Sequence, residues 1–303
     1  MKRVIVFGNA SLDIVLFVDR LPVPGETLLA HNMMRCPGGK GLNQAIAAYR
    51  AGATVKLIAP IGQDPDGDYL RSAVEAEGSI EAEWRFFEEP TDISTIRVSS
   101  SGENEVVSSA ASARSMGVVD AELLLSDLRP EDTLLLQGNL PHETTSAAIR
   151  VAKAHEAIVI INTAPVDRNM KDLLPQTDIV VANEVEALLL TGLEGDGAAR
   201  ALLNQGCKTA VVTLGANGIV FADQHSSVIN RIKAPPTEAV DTSGAGDVFV
   251  GTLAAELARQ GAKLEAALSF AVAAASLSVS RKGTVPSFPT TTELNLLRIG
   301  QGI

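Results

Sequence analysis

The sequence predicts an α/β protein with a three-layer core, a mostly parallel sheet covered by helices on both faces, plus a small β-sheet laid over it. Three observations predict this. Short, continuously apolar runs rich in Val, Ile and Leu recur along the chain, as strands buried on both faces require. Helical patterns separate those runs, which is the rhythm of parallel strands joined by crossovers. Two stretches break the rhythm and carry strand-forming residues with turn signals instead.

Val4–Gly8 reads as the first strand. Gly41–Gly52, with Leu42, Ala45, Ile46 and Tyr49 at helical spacing, reads as a helix closed by glycine. Val55–Ile61 is a strand and Asp68–Glu77 a helix. Further strands fall at Thr133–Gln137, Ile158–Asn162, Ile179–Ala182 and Ala210–Leu214, and Pro141–Glu156 is a helix with proline in its first turn. Leu264–Val279 is rich in Ala and interrupted by Ser269, Ser276 and Ser278. It reads as a buried helix, because a membrane span needs roughly 20 predominantly apolar residues. Asp13–Arg35 contains Pro22 and Pro24 and has no helical period. Thr91–Ala113 reads as a hairpin, with Ile96 and Val98 on one arm, Val106 and Val107 on the other, and Ser101-Gly102-Glu103-Asn104 as the turn. The expected organisation is one domain over residues 1–303, with a β lid formed by insertions at about 13–36 and 91–113. A lone strand pair is marginal in water, so the two insertions are expected to share one layer. An exposed face on that layer would favour pairing with a second subunit.

At 303 residues the chain can bury a large core, and 46% hydrophobic with 20% charged residues is an ordinary globular balance. The formal net charge is -11 and no run of Lys or Arg occurs, which argues against nucleic-acid binding through the phosphate backbone. The basic start Met1-Lys2-Arg3 precedes an apolar run that stops at Gly8-Asn9, too short for a signal peptide, so a cytoplasmic protein without a membrane partner is expected. Cys36 and Cys207 lie far apart and form no CxxC pair, so free thiols are the expectation. Cys36, beside a glycine-rich turn, is expected to be open to thiol reagents but without a catalytic role.

The most informative segment is Asp241-Thr242-Ser243-Gly244-Ala245-Gly246-Asp247, which runs into the apolar helical pattern Val248, Phe249, Leu253, Leu257. Backbone N–H groups at a helix start have no intrahelical partner and the helix dipole is positive there, so an anion is welcome. A carboxylate at such a place makes chemical sense if Asp247 takes a proton from a hydroxyl while the amides hold the charge on a transferring phosphoryl group. An ordinary helix start, with acid in its first turn, accounts for the seven residues equally well.

Other segments fall at the carboxyl ends of strands, where open α/β sheets bind ligands. Gly8-Asn9-Ala10-Ser11-Leu12-Asp13 follows the first strand, and an ionised Asp13 offers only acceptors, which suits two adjacent sugar hydroxyls. A turn Asp is the alternative. Pro37-Gly38-Gly39-Lys40-Gly41-Leu42-Asn43 combines glycines that let backbone approach a ligand with the donors Lys40 and Asn43, or is a capped tight turn. Asn183-Glu184-Val185-Glu186 suits either a hydrated Mg²⁺ or a helix N-cap with Glu three positions on. There is no GxxxxGK[ST] and no GxGxxG after the first strand, so neither a Walker-type NTPase nor a dinucleotide-dependent oxidoreductase is indicated. No GxSxG or HExxH occurs, and His31, His142, His155 and His225 are scattered.

In this order and spacing the motifs resemble the ribokinase family of carbohydrate kinases (the PfkB group), essentially end to end. Pro37 to Asn43 looks like the first signature of that family and Asp241 to Asp247 like the second. Asn183 to Glu186 looks like its internal Asn-x-x-Glu motif. Pro24-Gly25-Glu26-Thr27, Gly39 to Ala45 and Arg281-Lys282-Gly283 are most similar to ribokinases. The resemblance implies a ribokinase-like fold, an ATP- and Mg²⁺-dependent sugar kinase acting on a primary hydroxyl, and a homodimer formed through the β lid. It implies Asp247 as catalytic base and Gly244, Ala245 and Gly246 as the anion hole. It implies Ser11, Asp13, Gly39, Lys40, Asn43 and Asn139 against the sugar, and Asn183 and Glu186 in the Mg²⁺–phosphate region. Thr213 and Gly215 would lie on the nucleotide side, and Asp241, Ser243, Ser278, Arg281, Gly283 and Ser287 around an activating monovalent cation, usually K⁺. Two positions depart from the ribokinase pattern: Ser11 stands where an Asn is usual, and Asn139 where a Glu is usual. Both bear on the preferred sugar, and a nucleoside, another pentose or a hexose stays open as substrate. A non-catalytic sugar sensor on the same fold would have no need of the base.

Overall fold

The structure is a computed structural model, which describes residues 2–101, 103–167 and 169–301. Among these the strands are β1 (Arg3–Phe7), β2 (Ser11–Val18), β3 (Asn32–Gly38), β4 (Thr54–Gly62), β5 (Glu81–Phe87), β6 (Asp92–Ser99), β7 (Asn104–Ser108), β8 (Thr133–Gln137), β9 (Ile158–Asn162), β10 (Ile179–Asn183), β11 (Thr209–Thr213), β12 (Ile219–Asp223) and β13 (Ile229–Ile232). The helices are α1 (Lys40–Arg50), α2 (Pro65–Glu77), α3 (Ala111–Ser115), α4 (Val118–Leu124), α5 (His142–Ala154), α6 (Met170–Leu173), α7 (Glu184–Thr191), α8 (Gly195–Asn204), α9 (Ala245–Leu257), α10 (Leu264–Ser278) and α11 (Thr291–Gln301).

Nine of the described strands form one sheet in the order β13-β12-β11-β10-β9-β8-β1-β4-β5, parallel from β11 through β5 and antiparallel at β12 and β13. Side chains alternate across it, so Val4 and Val6 join a core with α1, α9 and α10, while Ile5 and Phe7 join a second core with α5, α7 and α8. This two-sided burial is why β1 is apolar from Val4 to Phe7 and β8 from Leu134 to Leu136. From β1 the chain winds one way to β4 and β5, then returns to build β8 to β11 on the other side. The crevice at that reversal lies beyond the carboxyl ends of β1 and β8.

A second sheet, in the order β3-β2-β6-β7, stands beside this crevice. It leaves and re-enters the core within a few residues of the site, since β2 follows β1 at Ser11 and β3 ends at Gly38, immediately before Gly39 and α1. Carboxylates clamp the other crossing. Asp64 accepts from the Thr91 N–H at 2.7 Å and the Gly67 N–H at 2.8 Å, and Asp92 from the N–H groups of Ser112 and Ala113.

The predicted strands and helices are present with ends shifted by a few residues. The strands β5, β12 and β13 were not among those predicted. Glu81, Glu83 and Arg85 alternate along β5, an edge strand with a wet face, which hides it from a search for continuous apolar runs. The stretch over 13–35, expected to be loop and strand in a small β layer, contains most of β2 and part of β3. Of the predicted hairpin turn, Gly102 lies outside the described residues. The expectation for Cys36 is overturned: its side chain is buried, and burial, with the Asp13 carboxylate nearby, pushes its thiol up to about 11, so thiolate is scarce. Among the described residues, no helix is long and apolar enough to cross a membrane.

One close approach sets the geometry of the crevice. Helix α9 packs on α1 with Gly251 against the Gln44 carbonyl, where a Cβ would fall 2.4 Å from that oxygen and 2.8 Å from the Ala47 Cβ. Gly251→Ala is therefore expected to destabilise the protein by about 1–3 kcal/mol, the range for overpacking, read as a lower urea midpoint. An unchanged midpoint would show that α9 can back away from α1 at no cost.

Candidate active site

The crevice contains a cavity of about 210 Å³ whose lining includes Lys40, Asn183, Glu186, Thr213, Gly244, Gly246 and Asp247. Seven predicted site residues from α1, α9 and the ends of β10 and β11 are thus brought together. Asp247 occupies the first turn of α9 and is 6% exposed. Among the described residues, no cation forms an ion pair with it. Instead, Asn43 Nδ2 donates to Oδ2 at 2.9 Å and Gln44 Nε2 to Oδ1 at 3.0 Å, both from α1.

Gly244 turns the chain into α9 with φ 75°, a left-handed value that disfavours any side chain, and a Cβ there would meet Phe288 at 2.7 Å and Thr284 at 2.8 Å. At Gly246 a Cβ would meet nothing within 4 Å. Open space therefore faces the first turn of α9, where N–H groups lack intrahelical acceptors. The Ala245 N–H already donates to the Thr242 carbonyl at 3.3 Å, a long bond.

Asp13 sits on β2 and is buried, with Ser11 Oγ donating to its Oδ1 at 3.1 Å. Burial pushes its carboxyl up to about 6, opposed by the hydroxyls of Ser11 and Ser94 and reinforced by the charge of Asp247. Backbone crowds this site closely. A Cβ at Gly38 would fall 2.1 Å from the Asp13 carboxylate, and one at Gly39 (φ 88°) would fall 2.8 Å from Ala10 Cα and Ser11 N. In the turn after β8, Asn139 Oδ1 is buried without a hydrogen-bond partner among the described residues, as is Asn43 Oδ1.

Asn183 and Glu186 form the capping box of α7. Asn183 Oδ1 accepts from the Glu186 N–H at 2.8 Å, and Glu186 Oε2 accepts from the Asn183 N–H at 3.1 Å and from Thr163 Oγ1 at 2.9 Å. Gly215 (φ 54°) opens the turn after β11 and is not part of the cavity lining.

The residues implied for a monovalent cation gather behind Gly244. Asp241 accepts from the Ser243 N–H and the Gly283 N–H, each at 2.9 Å, tying the 241–244 turn to the segment after α10. Ser278 and Ser287 hydroxyls bond to local carbonyls, and the Arg281 guanidinium is turned away to Glu293 of α11.

Four polar residues around these groups were missed by sequence reasoning. Gln44, Gln137 and Asn162 form one buried amide cluster with Asp247, and Ser94 of β6 lies 3.4 Å from Ser11 Oγ. A signal existed: Gln137 and Asn162 are amides ending strands that are otherwise apolar.

The pattern of the pfkB family carbohydrate kinases matches residues 1–291. A ribokinase from Haemophilus influenzae is 33% identical over 299 residues, which cover 96% of this chain and 97% of that protein. A bifunctional ribokinase/ribose-5-phosphate isomerase A from Fructilactobacillus sanfranciscensis is 33% identical over 300 residues, and the chain spans 55% of its length. Among solved structures, Arabidopsis thaliana ribokinase complexed with ribose and ATP matches with a TM-score of 0.85 at 28% identity, over 98% of this chain and 99% of that one. The chain belongs to the pfkB family of carbohydrate kinases, phosphotransferases with an alcohol group as acceptor.

Proposed function

We propose that this carbohydrate kinase transfers the γ-phosphoryl group of ATP to a primary hydroxyl of ribose or a ribose-like sugar. The observation that carries the reading is Asp247 itself, a buried carboxylate with neutral amide donors, beside an open helix start in a cavity that also holds Lys40. Asp247 takes the hydroxyl proton as general base, and the amides of Gly244, Ala245 and Gly246 hold the developing charge. The space at Gly246 fits a phosphoryl group there. Ser11, Asp13, Gly39, Lys40, Asn43 and Asn139 orient the sugar. The orphaned oxygens of Asn43 and Asn139 are acceptors awaiting hydroxyls. ATP and ribose in the similar Arabidopsis thaliana structure support the substrate pair.

Thr213 and Gly215 would face the nucleotide. Both carboxylate oxygens of Glu186 are engaged within the protein, which fits a Mg²⁺ held mainly through water and phosphate oxygens, with Asn183 and Glu186 ordering that water. Such an ion would neutralise charge on the phosphates. A monovalent cation such as K⁺ fits behind Gly244, where Asp241 joins two loop segments. Ser243, Ser278, Gly283 and Ser287 would hold it with Asp241, and Arg281 only through its backbone, because its guanidinium is engaged with Glu293.

Release of ADP from ATP·Mg²⁺, measured against a panel of pentoses, hexoses and nucleosides with and without K⁺, tests the reading. Asp247→Asn is expected to cut kcat on the best substrate by about 10²–10⁴-fold with the fold intact. Turnover within about threefold of wild type would sink the base assignment. One strong alternative sugar beside poor ribose turnover would place the preference at Ser11 and Asn139, where a mismatched buried polar group costs about 1–3 kcal/mol.

Asp13 links the site to pH. Its folded value of about 6 lies above the ordinary 3.8, so folding retains a proton that the unfolded chain loses between those values. Stability from this group is present at low pH and lost, to about 3 kcal/mol, as pH rises through about 6. Asp13→Asn is expected to raise the melting temperature at pH 8 more than at pH 4, while lowering kcat/KM for the sugar. Equal shifts at both pH values would contradict the burial argument.

The small sheet offers a surface for the expected homodimer. Strand β7 is exposed along its length, with Val106 54% and Val107 57% accessible. Sedimentation is expected to show a dimer that Val106→Asp with Val107→Asp converts to monomer. A wild-type monomer at micromolar concentration would refute it.

A further inference from the structure

Gln44 makes more use of its side chain than any ordinary core polar residue needs. Its amide is fully buried between three other elements. One Nε2 hydrogen goes to Asp247 Oδ1 of α9 at 3.0 Å and the other to Asn162 Oδ1 at the end of β9 at 3.1 Å. Its Oε1 accepts from Gln137 Nε2, at the end of β8, at 2.8 Å. The Gln137 amide in turn occupies room left by Gly8, where a Cβ would fall 1.8 Å from its Oε1.

The sense of this chain follows from the charge at its end. An ionised carboxylate can only accept, so the nitrogen of Gln44 must face Asp247 and its oxygen must face Gln137. Turning the Gln44 amide over would set its oxygen against the oxygens of Asp247 and Asn162, and its nitrogen against the nitrogen of Gln137. All three contacts would become repulsive together, so one orientation is locked. Asn43 differs. It donates to Asp247 Oδ2 at 2.9 Å, but its own Oδ1 is buried without a protein partner, which leaves it available to a ligand.

We propose that Gln44, locked in one amide orientation by Gln137, is a positioning residue that fixes the Asp247 carboxylate for proton abstraction. The proposal rests on the reading of Asp247 as the base. Gln137 does not line the cavity, and its side chain is linked to Asp247 by hydrogen bonds through Gln44.

The test uses the full chain with saturating ATP·Mg²⁺ and the fastest sugar of the panel. Gln44→Met keeps the volume and removes every bond of the amide. It is expected to lower kcat on the order of 10- to 100-fold, as a misplaced catalytic group does, with KM for sugar and ATP little changed. Combined with Asp247→Asn, it is expected to cause no further loss, because both changes remove the same function. A role confined to stability would instead lower the folded fraction and reduce the double variant further, which overturns the proposal. If Asp247→Asn is nearly inactive while Gln44→Met retains kcat within about threefold, positioning is refuted and the base assignment stands. Should Asp247→Asn alone retain turnover, the base assignment fails and the proposal with it. Gln137 gives a second measurement should Gln44→Met fold poorly. Gln137→Glu matches the native shape but turns an oxygen toward Gln44 Oε1, favouring the wrong orientation, so its kcat is expected to fall below that of Gln137→Met. Equal or reversed values would overturn the proposal.

Discussion

A buried carboxylate held by neutral amides, Asp247 between Asn43 and Gln44, is the interaction on which the rest of this structure depends. Removing a charge from water is costly unless hydrogen bonds replace the lost hydration. A guanidinium could do so, but it would also neutralise the carboxylate and blunt it as a proton acceptor. Amides solvate the charge without cancelling it. They must therefore arrive at hydrogen-bond distance from a helix other than α9, and α1 can do this only because Gly251, one turn along from Asp247, has no side chain to hold the helices apart. The stretch Ala45-Ile46-Ala47-Ala48, buried throughout, continues the same close seam.

The same economy of space governs the other wall of the crevice. Asp13 arrives on β2, a strand of the small sheet, yet it must lie beside groups on the main sheet. Gly38 and Gly39 make that possible, since any side chain at either would occupy the volume of the Asp13 carboxylate or of the Ala10–Ser11 backbone. One short passage of chain, from β3 through Gly39 into α1, thus sets both carboxylates: it frames Asp13 on one side and carries Asn43 and Gln44 to Asp247 on the other. Burial of Asp13 is the main reason its carboxyl is held up at about 6, and the nearby Asp247 adds to it.

How much of this was legible in the sequence differs by kind of information. The parallel core was readable because two-sided burial writes itself as apolar runs, as in Thr133–Gln137 and Ile158–Asn162. Strand β5 was not, because an edge with one wet face carries Glu81, Glu83 and Arg85 in alternation. Of the site, the residues inside dense glycine motifs were legible: Gly39, Lys40, Asn43, Gly244, Gly246 and Asp247 stand in segments that a plain turn or helix start explains singly, and it was their order and spacing together that pointed to a site. Gln44 was hidden by standing next to a more conspicuous Asn43, and Gln137 and Asn162 by ending strands where any polar residue could be solvated. Their significance lies in partners more than a hundred residues away in some cases, as for Gln44 with Asp247, and pairing at that separation is a property of the packed fold. Local ambiguity persisted at Asn183 and Glu186, where a helix cap is formed and a proposed role toward the metal region draws on the same atoms.

The two departures from the ribokinase pattern gain physical meaning from where they fall. Ser11 bonds to Asp13 and lies beside Ser94 of the small sheet, while Asn139 sits in the turn after β8 with an unpartnered oxygen. The side-chain donors to Asp247 are Asn43 and Gln44, not these two. A change at either position alters the donors and acceptors offered to a ligand without removing either amide hydrogen bond from Asp247. On the proposed reading, selectivity among sugars leans on the small sheet and the β8 turn, phosphoryl transfer leans on the α1–α9 seam, and Asn43 joins the two, its nitrogen on Asp247 and its oxygen toward the sugar. A substitution at Ser11 or Asn139 shifts which hydroxyl-bearing molecule is held, and one at Gln44 or Asp247 shifts the reaction of every such molecule alike.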